Sequence, residues 1–171
     1  DSGTIKFDGR DVIALNKKPK DGLGHSIAVG VQVALQFKPD AMLFVMADMP
    51  FVEERLLRDT LARLGVRGAG PDIAHSGGAD GVRPPTAFSS ACFDALALLQ
   101  GDDGAKAIVR SGQFEVSGLE PPAPLLFDID TKEDLDIARG QIAIRGRYAH
   151  ASARSPDHPA ADPIDLGTYR A

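Results

Sequence analysis

The chain has 171 residues, of which 43% are apolar and 25% charged, and its formal net charge is −5, values typical of one globular domain with a hydrophobic core. The negative charge argues against a broad nucleic-acid-binding face, and the single cysteine, Cys92, excludes a disulfide or a thiolate metal cluster within this sequence. No apolar run approaches the length of about 18 residues that a membrane span needs, and no signal peptide is visible, so we expect a cytoplasmic protein without membrane partners.

The first half of the sequence predicts a strand–loop–helix–strand unit over residues 12–47. A short apolar strand over 12–15 leads into a polar loop, and Ser26 is a reasonable N-cap for a helix with apolar residues at helical spacing. Residues 41–47 form a wholly apolar run, which predicts a strand buried on both faces, as in parallel sheets covered by helices. A helix over 53–64 follows, and Gly65 ends it.

The second half continues the alternation of strands and helices. The predicted strands cover residues 72–75, 86–88, 114–116 and 125–129, with helices over 90–99 and around 105–109. Thr131 then caps a helix, with Asp134 at the spacing of a capping box. We predict one domain over 1–147, a mobile tail over 148–171, and an α/β fold with a doubly wound, mainly parallel, Rossmann-like sheet.

Two of the predicted strands end in an aspartate. Asp48 follows the run 41–47, and Asp130 follows the run 125–129. Ligands of open α/β sheets lie beyond the carboxyl ends of the strands. Mg²⁺ is usually bound there by one or two carboxylates together with substrate phosphates and water. The pattern therefore predicts a Mg²⁺ site shared by Asp48 and Asp130, and the alternative is that each acid only ends a strand or caps a helix.

Two glycine-containing turns are candidates for ligand contact. Gly22-Leu23-Gly24-His25-Ser26 precedes a helix, where exposed amides suit an anion, although an ordinary loop fits equally well. Ile27 stands where a Rossmann fingerprint has its third glycine, and the sequence has no Walker A motif. From its residues alone, Gly101-Asp102-Asp103-Gly104-Ala105-Lys106 is a turn at the start of a helix.

Together these segments resemble the MobA-like nucleotidyltransferases, and among them the molybdenum cofactor cytidylyltransferase branch. The order and spacing agree from about residue 12 to residue 140. The matching segments are Asn16…Gly22-x-x-x-Ser26, Ala47-Asp48-Met49-Pro50, Gly81-x-Arg83-x-Pro85-x-x-Phe88, Gly101-Asp102-x-Gly104-Ala105-Lys106 and Asp128-Ile129-Asp130-Thr131-x-x-Asp134-Leu135. The family opens with a Leu-Ala-Ala-Gly-x-Ser-x-Arg-Met-Gly loop that holds the triphosphate, and nothing like it occurs here. We therefore expect the chain to correspond to the C-terminal portion of the family domain.

The resemblance implies transfer of CMP or GMP from CTP or GTP to the phosphate of molybdopterin, with release of pyrophosphate. It implies that Asp48 is the catalytic residue, whose carboxylate holds Mg²⁺, that Asp130 is the second metal ligand, and that Gly22 and Ser26 lie near the nucleotide. The residues that it places on the pterin side are Arg83, Pro85, Gly101, Asp102 and Lys106. By the same resemblance, the residues of the motif that contains Asp130 favour CTP over GTP.

The sequence departs from the family pattern at two further positions. Pro84 stands where the family usually carries histidine or glycine, and Lys106 stands where arginine is common, which removes a planar fork for phosphate. Two other interpretations stay open. One is a non-catalytic relative that binds a molybdoenzyme or its insertion chaperone. The other is an NMP transferase that acts on a sugar or alcohol phosphate.

Overall fold

The computed structural model describes residues 6–7, 10–11, 19–65, 70–77, 81–102 and 104–152. The strands are β1 Lys6–Phe7, β2 Arg10–Asp11, β3 Ala41–Phe44, β4 Ile73–Ser76, β5 Arg83–Ser89 and β6 Val116–Leu119. The α-helices are α1 Leu23–Ala34, α2 Glu54–Ala62, α3 Phe93–Ala97, α4 Lys106–Arg110 and α5 Lys132–Ser152. The predicted strand over 12–15 lies outside the described residues.

The chain divides into two compact units, Asp1–Asp128 and Ile129–Ala171, which are described separately. Among the described residues, no helix is both long enough and apolar enough to cross a membrane.

The main sheet belongs to the first unit and has the strand order β3-β5-β4-β6. β5 runs antiparallel to β3 and to β4, whereas β4 and β6 are parallel. The α/β class is therefore confirmed, but over the described strands the sheet is mixed rather than mainly parallel. The reason is that β5 enters from the opposite direction between β3 and β4, so both of its neighbours must pair with it antiparallel.

Helices cover both faces of this sheet. Met42, Phe88 and Ile73 are opposite one another in the register and share a face, because side chains at paired positions point the same way. This face carries the main hydrophobic cluster, to which Val31 of α1 and Leu96 of α3 also belong. Helix α2 packs against β3, β4 and β5, and Leu56 and Thr60 are its buried residues. Two covered faces are what a doubly wound architecture requires.

Cys92 lies in this core and is fully buried. Burial raises the pKa of its thiol to about 11, and the nearby charge of Asp72 acts in the same direction. The thiol is therefore protonated at neutral pH and serves as a packing group.

Most of the predicted helices and strands of the first unit are present, with shifted ends. α2 and α4 match the predictions closely, and the predicted helix over 90–99 is a 3₁₀ turn, Ser90–Cys92, followed by α3. The predicted strand over 114–116 begins at Val116 and runs on to Leu119. Patterns of apolar residues therefore located the elements better than their ends.

Strand β3 is shorter and less buried than the apolar run 41–47 predicts. It ends at Phe44, and within it only Met42 is buried. Val45 and Met46 follow the strand and are 47% and 40% exposed. The prediction of a strand buried on both faces is wrong for a physical reason: β3 is the last strand on its side of the described sheet, so it lacks a neighbour that would cover it.

Helix α1 begins earlier than predicted, and Ser26 is not its N-cap. The N-cap is Gly22, whose φ of 97° is in the region that favours glycine. This conformation turns the chain into the helix at Leu23, which places Ser26 inside the first turn. There both its amide and its hydroxyl donate to the carbonyl oxygen of Gly22, each at 3.3 Å.

The predicted strand over 125–129 is absent. Residues Ala123–Leu126 form a 3₁₀ turn, and residues 127–130 have no regular secondary structure. Three prolines, Pro121, Pro122 and Pro124, precede or enter this segment, and proline has no N–H to donate to a strand ladder. The apolar residues of the segment are instead used in a small second cluster with Met49 and Leu56.

In the second unit, the capping box at the start of α5 is confirmed. The amide of Asp134 donates to the hydroxyl oxygen of Thr131 at 3.1 Å, and the amide of Thr131 donates to Oδ2 of Asp134 at 2.8 Å. The helix runs on to Ser152, so residues 148–152 of the predicted tail are helical. The sequence contains no proline between Thr131 and Pro156, and alanine, glutamine and arginine favour a helix here. Residues 153–171 lie outside the described part.

The same capping box gives a pH-dependent prediction. The hydroxyl and amide of Thr131 and the amide of Asp130 stabilise the charged carboxylate, so the pKa of Asp134 lies below its usual value. A lowered pKa means that the cap is fully formed above the ordinary aspartate range and is lost as the pH falls through the lowered pKa. We expect an NMR titration of the Asp134 carboxyl to give a midpoint below that of an ordinary aspartate. A Thr131→Ala variant should move that midpoint back up, and an unchanged midpoint would contradict the cap.

Candidate functional site

One edge of the main sheet collects several of the predicted site residues, and we call it the carboxyl edge. It contains the carboxyl ends of β3, β4 and β6 and the beginning of β5. The register fixes this, since Phe44 and His75 both oppose Thr86, and Ser76 opposes both Arg83 and Leu119. Ligands of α/β proteins bind at such an edge.

Asp48 follows β3 at this edge, and its carboxylate is incompletely satisfied. Its Oδ1 is buried and has no hydrogen-bond partner among the described residues. The other atom of this kind in the described part is Oγ of Ser76, at the end of β4 on the same edge. Because buried polar atoms nearly always have partners, two such atoms at one edge indicate a site for a ligand that supplies them.

The segment after Asp48 is anchored to the segment that precedes Asp128. Met49 is buried in one cluster with Leu126, and the rings of Phe51 and Phe127 lie 5.9 Å apart at a tilt of 50°. Such aromatic and aliphatic contacts hold two irregular segments together without a strand ladder. The packing therefore fixes the position of the loop that carries Asp48 relative to Asp128.

Asp128 in turn contacts Arg83, the first residue of β5. Nη2 of Arg83 donates to Oδ2 of Asp128 at 3.2 Å. The ladder between β4 and β5 is irregular here, because the register shifts between His75 and Ser76 and skips Pro84 and Pro85. Prolines have no N–H to donate, and a bulge re-aims the neighbouring side chain. The irregularity places Arg83 at the end of the ladder, beside Asp128.

The two glycine-containing turns are also brought together. The amide of Gly24 donates to the carbonyl oxygen of Gly101 at 2.7 Å. A Cβ atom on Gly22 would lie 2.5 Å from the carbonyl group of Gly101 and 2.6 Å from Oδ1 of Asp102. Since no side chain fits in that space, the close approach of the two turns requires glycine at position 22.

After the second turn, the chain packs against the start of α1 and leads into α4. A Cβ atom on Gly104 would lie 2.9 Å from the side chain of Leu23, so this glycine also allows close packing. Lys106 begins α4 and is exposed. The predicted residues Gly22, Ser26, Gly101 and Lys106 are thus parts of one assembly built on the start of α1.

The remaining predicted site residues are placed differently. Pro85 is fully buried and packs inside the fold. Asp130 belongs to the second unit, where its amide donates to Oδ2 of Asp134 at 3.2 Å. Its role as a second metal ligand stays a prediction. Within the described residues, no three acidic, histidine or cysteine side chains are grouped as a metal site would group them. A Mg²⁺ site with few protein ligands still fits, because phosphates and water complete its shell.

Sequence reasoning did not select Asp128, Gly24 or Gly77 as site residues. Asp128 lies in the motif that was selected for Asp130, two residues before it. This spacing was the signal that could have identified Asp128. Gly24 stands two residues after Gly22 in a motif that was already noted. Gly77 follows β4 with a φ of 133°, and no pattern in the sequence distinguishes it from the other glycines around it.

A cavity of about 460 Å³ lies elsewhere in the first unit. It is lined by one side of α2 and by the segment from Leu119 to Leu125, with charged residues of both signs and with leucine and proline side chains. None of the predicted site residues lines it. The candidate site therefore consists of the carboxyl edge and the paired glycine turns.

Comparison with known proteins defines the class. Residues 7–116 match the MobA-like NTP transferase domain, which covers more than half of the chain. The chain therefore belongs to the MobA-like NTP transferase family, and the resemblance noted in the sequence is confirmed at that level.

A curated relative is the purine catabolism protein PucB of Bacillus subtilis (strain 168). It is 35% identical over 120 residues, which are 69% of this chain and 56% of PucB. The chain thus spans little more than half the length of this relative.

Two solved structures share the fold. Rv0371c from Mycobacterium tuberculosis H37Rv is 30% identical, with a TM-score of 0.53, over 65% of this chain and 58% of that chain. Molybdopterin-guanine dinucleotide biosynthesis protein A from Archaeoglobus fulgidus has a TM-score of 0.51 at 14% identity, over 82% of this chain and 89% of that chain. At this low identity the second likeness shows the fold alone, which is the nucleotidyltransferase fold that the sequence predicts.

Proposed function

We propose that this protein is a Mg²⁺-dependent nucleotidyltransferase of molybdenum cofactor biosynthesis, which transfers CMP or GMP from a nucleoside triphosphate to the phosphate of molybdopterin. The observation that carries the proposal is Oδ1 of Asp48 at the carboxyl edge, which is buried and has no hydrogen-bond partner among the described residues. Membership of the MobA-like NTP transferase family gives this oxygen a chemical context. The sequence motifs around Asp130 favour CTP over GTP as the donor.

In the proposed reaction, an oxygen of the acceptor phosphate attacks the α-phosphorus of the nucleoside triphosphate. The new P–O–P bond forms while the bond between the α- and β-phosphates breaks, and pyrophosphate leaves. Catalysis of this kind depends on positioning and on neutralising charge, so the protein needs to contribute few reacting groups.

Asp48 would hold Mg²⁺ through Oδ1, and the role of Asp130 as a second ligand stays a prediction. When bound, the ion neutralises phosphate charge and aligns the in-line displacement. The lack of a hydrogen-bond donor to Oδ1 within the described residues is consistent with this role, since a carboxylate reserved for a cation needs no protein donor there.

The start of α1, with Gly22 and Ser26, forms the proposed nucleotide side of the site, and the turn with Gly101 and Asp102 that it contacts belongs to the proposed pterin side. Gly22 precedes a twelve-residue helix, whose first amides carry partial positive charge. Arg83 offers a guanidinium to the acceptor phosphate, and Lys106 adds an exposed ammonium group. An interaction with a molybdoenzyme or its chaperone stays a prediction.

Calorimetric titration of the full chain with CTP and with GTP, each with and without Mg²⁺, tests the proposal. We expect CTP to bind more strongly than GTP, and we expect this binding to require Mg²⁺. ATP and UTP serve as control nucleotides. Absence of binding by both CTP and GTP would contradict the proposed function of this chain, and equal binding of all four nucleotides would contradict the proposed base preference.

A further inference from the structure

The side chain of Arg83 is restricted along its stem as well as at its head. At the head, Nη2 donates to Oδ2 of Asp128 at 3.2 Å. Along the stem, the neighbour is Gly77, where a Cβ atom would lie 3.1 Å from Cγ and 3.2 Å from Cβ of Arg83. The same Cβ atom would also meet the carbonyl oxygen of Gly81. Only glycine at position 77 therefore leaves room for the path that this arginine takes.

The backbone of Arg83 is fixed as well. The hydroxyl of Thr86 donates to the carbonyl oxygen of Arg83 at 3.2 Å, and Arg83 opposes Ser76 at the irregular end of the ladder. Within the described residues, Asp128 is the one hydrogen-bond partner of the guanidinium. A guanidinium carries five N–H donors, and the side chain is 39% exposed, so most donors are available to an anion from solution.

Asp128 is itself positioned by buried neighbours. Phe127 contacts the ring of Phe51, which is 3% exposed, and Leu126 is buried with Met49. The carboxylate therefore connects Arg83 to the segment that follows Asp48. An ion pair whose side chains are 39% and 47% exposed contributes little to the stability of the fold, so its main consequence is the orientation of the guanidinium.

We propose that Asp128 is a positioning residue, which orients the guanidinium of Arg83 so that its remaining donors bind the phosphate of the acceptor. This inference rests on the proposed function. Asp128 does not touch the acceptor and acts only through Arg83. The carboxylate accepts one N–H of a planar fork and thereby fixes the plane in which the other donors point.

Kinetics of transfer with Asp128→Ala test the inference. We expect the KM for the acceptor to rise about tenfold, because a binding group loses its orientation, while the KM for the nucleotide and kcat change by less than about threefold. Asp128→Asn keeps an oxygen that accepts the same hydrogen bond and should restore most of the acceptor affinity. Asp136→Ala is the matched control, since it removes the acid of another exposed Arg–Asp pair, with Arg139 at 3.4 Å.

A double-mutant cycle separates positioning from a direct or purely structural role. If Asp128 acts only through Arg83, Asp128→Ala should have no further effect in an Arg83→Ala background. Equal effects of Asp128→Ala in both backgrounds would overturn the inference. A fall in the acceptor KM would also overturn it, because it would mean that Asp128 competes with the phosphate for Arg83.

A measurement that does not depend on turnover distinguishes failure of the inference from failure of the proposed function. The Nε–H signal of Arg83 is followed by NMR while inorganic phosphate is added to the full chain. A phosphate-dependent shift in the wild type that is lost in Asp128→Ala and kept in Asp128→Asn supports the positioning role. A shift that survives in Asp128→Ala, or no shift in the wild type, overturns that role. Absence of nucleotidyl transfer by the wild type would count against the proposed function alone.

Discussion

Replacement of Asp48 with Asn is expected to lower the rate of nucleotidyl transfer by at least about a thousandfold, because a metal site contributes several kcal/mol to such a reaction. Asparagine has nearly the same size and shape as aspartate but carries no charge. It therefore fills the space at the carboxyl edge without binding Mg²⁺ at the strength that phosphate chemistry requires.

The same substitution should leave the protein folded. Oδ1 of Asp48 has no hydrogen-bond partner among the described residues, so the change breaks no hydrogen bond there. It also removes a partly buried charge, which is costly to keep away from water. We therefore expect the midpoint of thermal unfolding to stay the same or to rise, as is common when a group kept for function is removed.

Asp40→Asn is the matched control, since Asp40 is exposed and immediately precedes β3, at the opposite end of the same strand from Asp48. Its transfer rate and unfolding midpoint should both match the wild type. Transfer close to the wild-type rate in Asp48→Asn would rule out Asp48 as the metal ligand. A strongly lowered unfolding midpoint in that variant would show that the acid has a structural role instead.

The parts of the fold that sequence patterns predicted are those set by local interactions. The stripe of leucines in α2 and the Thr131–Asp134 capping box involve residues three or four positions apart, so the pattern and the structure report the same contacts. Helix α1 was found for the same reason. Its start was placed wrongly because Ser26 is a strong N-cap type, whereas the positive φ of Gly22 decides where the chain turns.

The prediction of a strand over 125–129 is wrong because an apolar run does not show which residues will cover it. Leu126 is buried against Met49 and Leu56 from distant parts of the chain, and the prolines before it exclude a ladder. The prediction of a buried strand over 41–47 is wrong at the end of the run for the same reason. Its apolar character predicted burial, but burial also depends on a neighbouring strand, which β3 lacks on one side among the described strands.

The candidate site was predicted residue by residue but not as an arrangement. The motifs located Asp48, Arg83 and the two glycine turns, since each stands at the end of an element. The pairing of Arg83 with Asp128 joins residues 45 positions apart. It depends on the register shift between His75 and Ser76, which spacing along the sequence does not encode. Contacts of this kind depend on how the strands pair in the folded sheet, so short segments of the sequence do not reveal them.

Gly24→Ala is expected to be the most damaging single methyl addition in α1. A Cβ atom at this position would lie 2.7 Å from the carbonyl oxygen of Gln100 and 2.9 Å from that of Gly101. Both are backbone atoms, so the turn must move away, and the 2.7 Å hydrogen bond from the Gly24 amide to Gly101 would lengthen. Overpacking of this kind costs about 1–3 kcal/mol of unfolding free energy. We also expect weaker nucleotide binding, because the change displaces the start of α1, which carries Gly22 and Ser26 on the proposed nucleotide side.

Gly30→Ala provides the opposite result in the same helix. A Cβ atom on Gly30 meets nothing within 4 Å, and alanine is a better helix former than glycine, so this variant should gain about 0.5–1 kcal/mol. Denaturant unfolding of both variants should therefore give changes of opposite sign, and calorimetry should show reduced nucleotide affinity in Gly24→Ala alone. If Gly24→Ala stabilised the chain as Gly30→Ala does, the two turns would not be in close contact. The nucleotide side would then have to be sought away from α1.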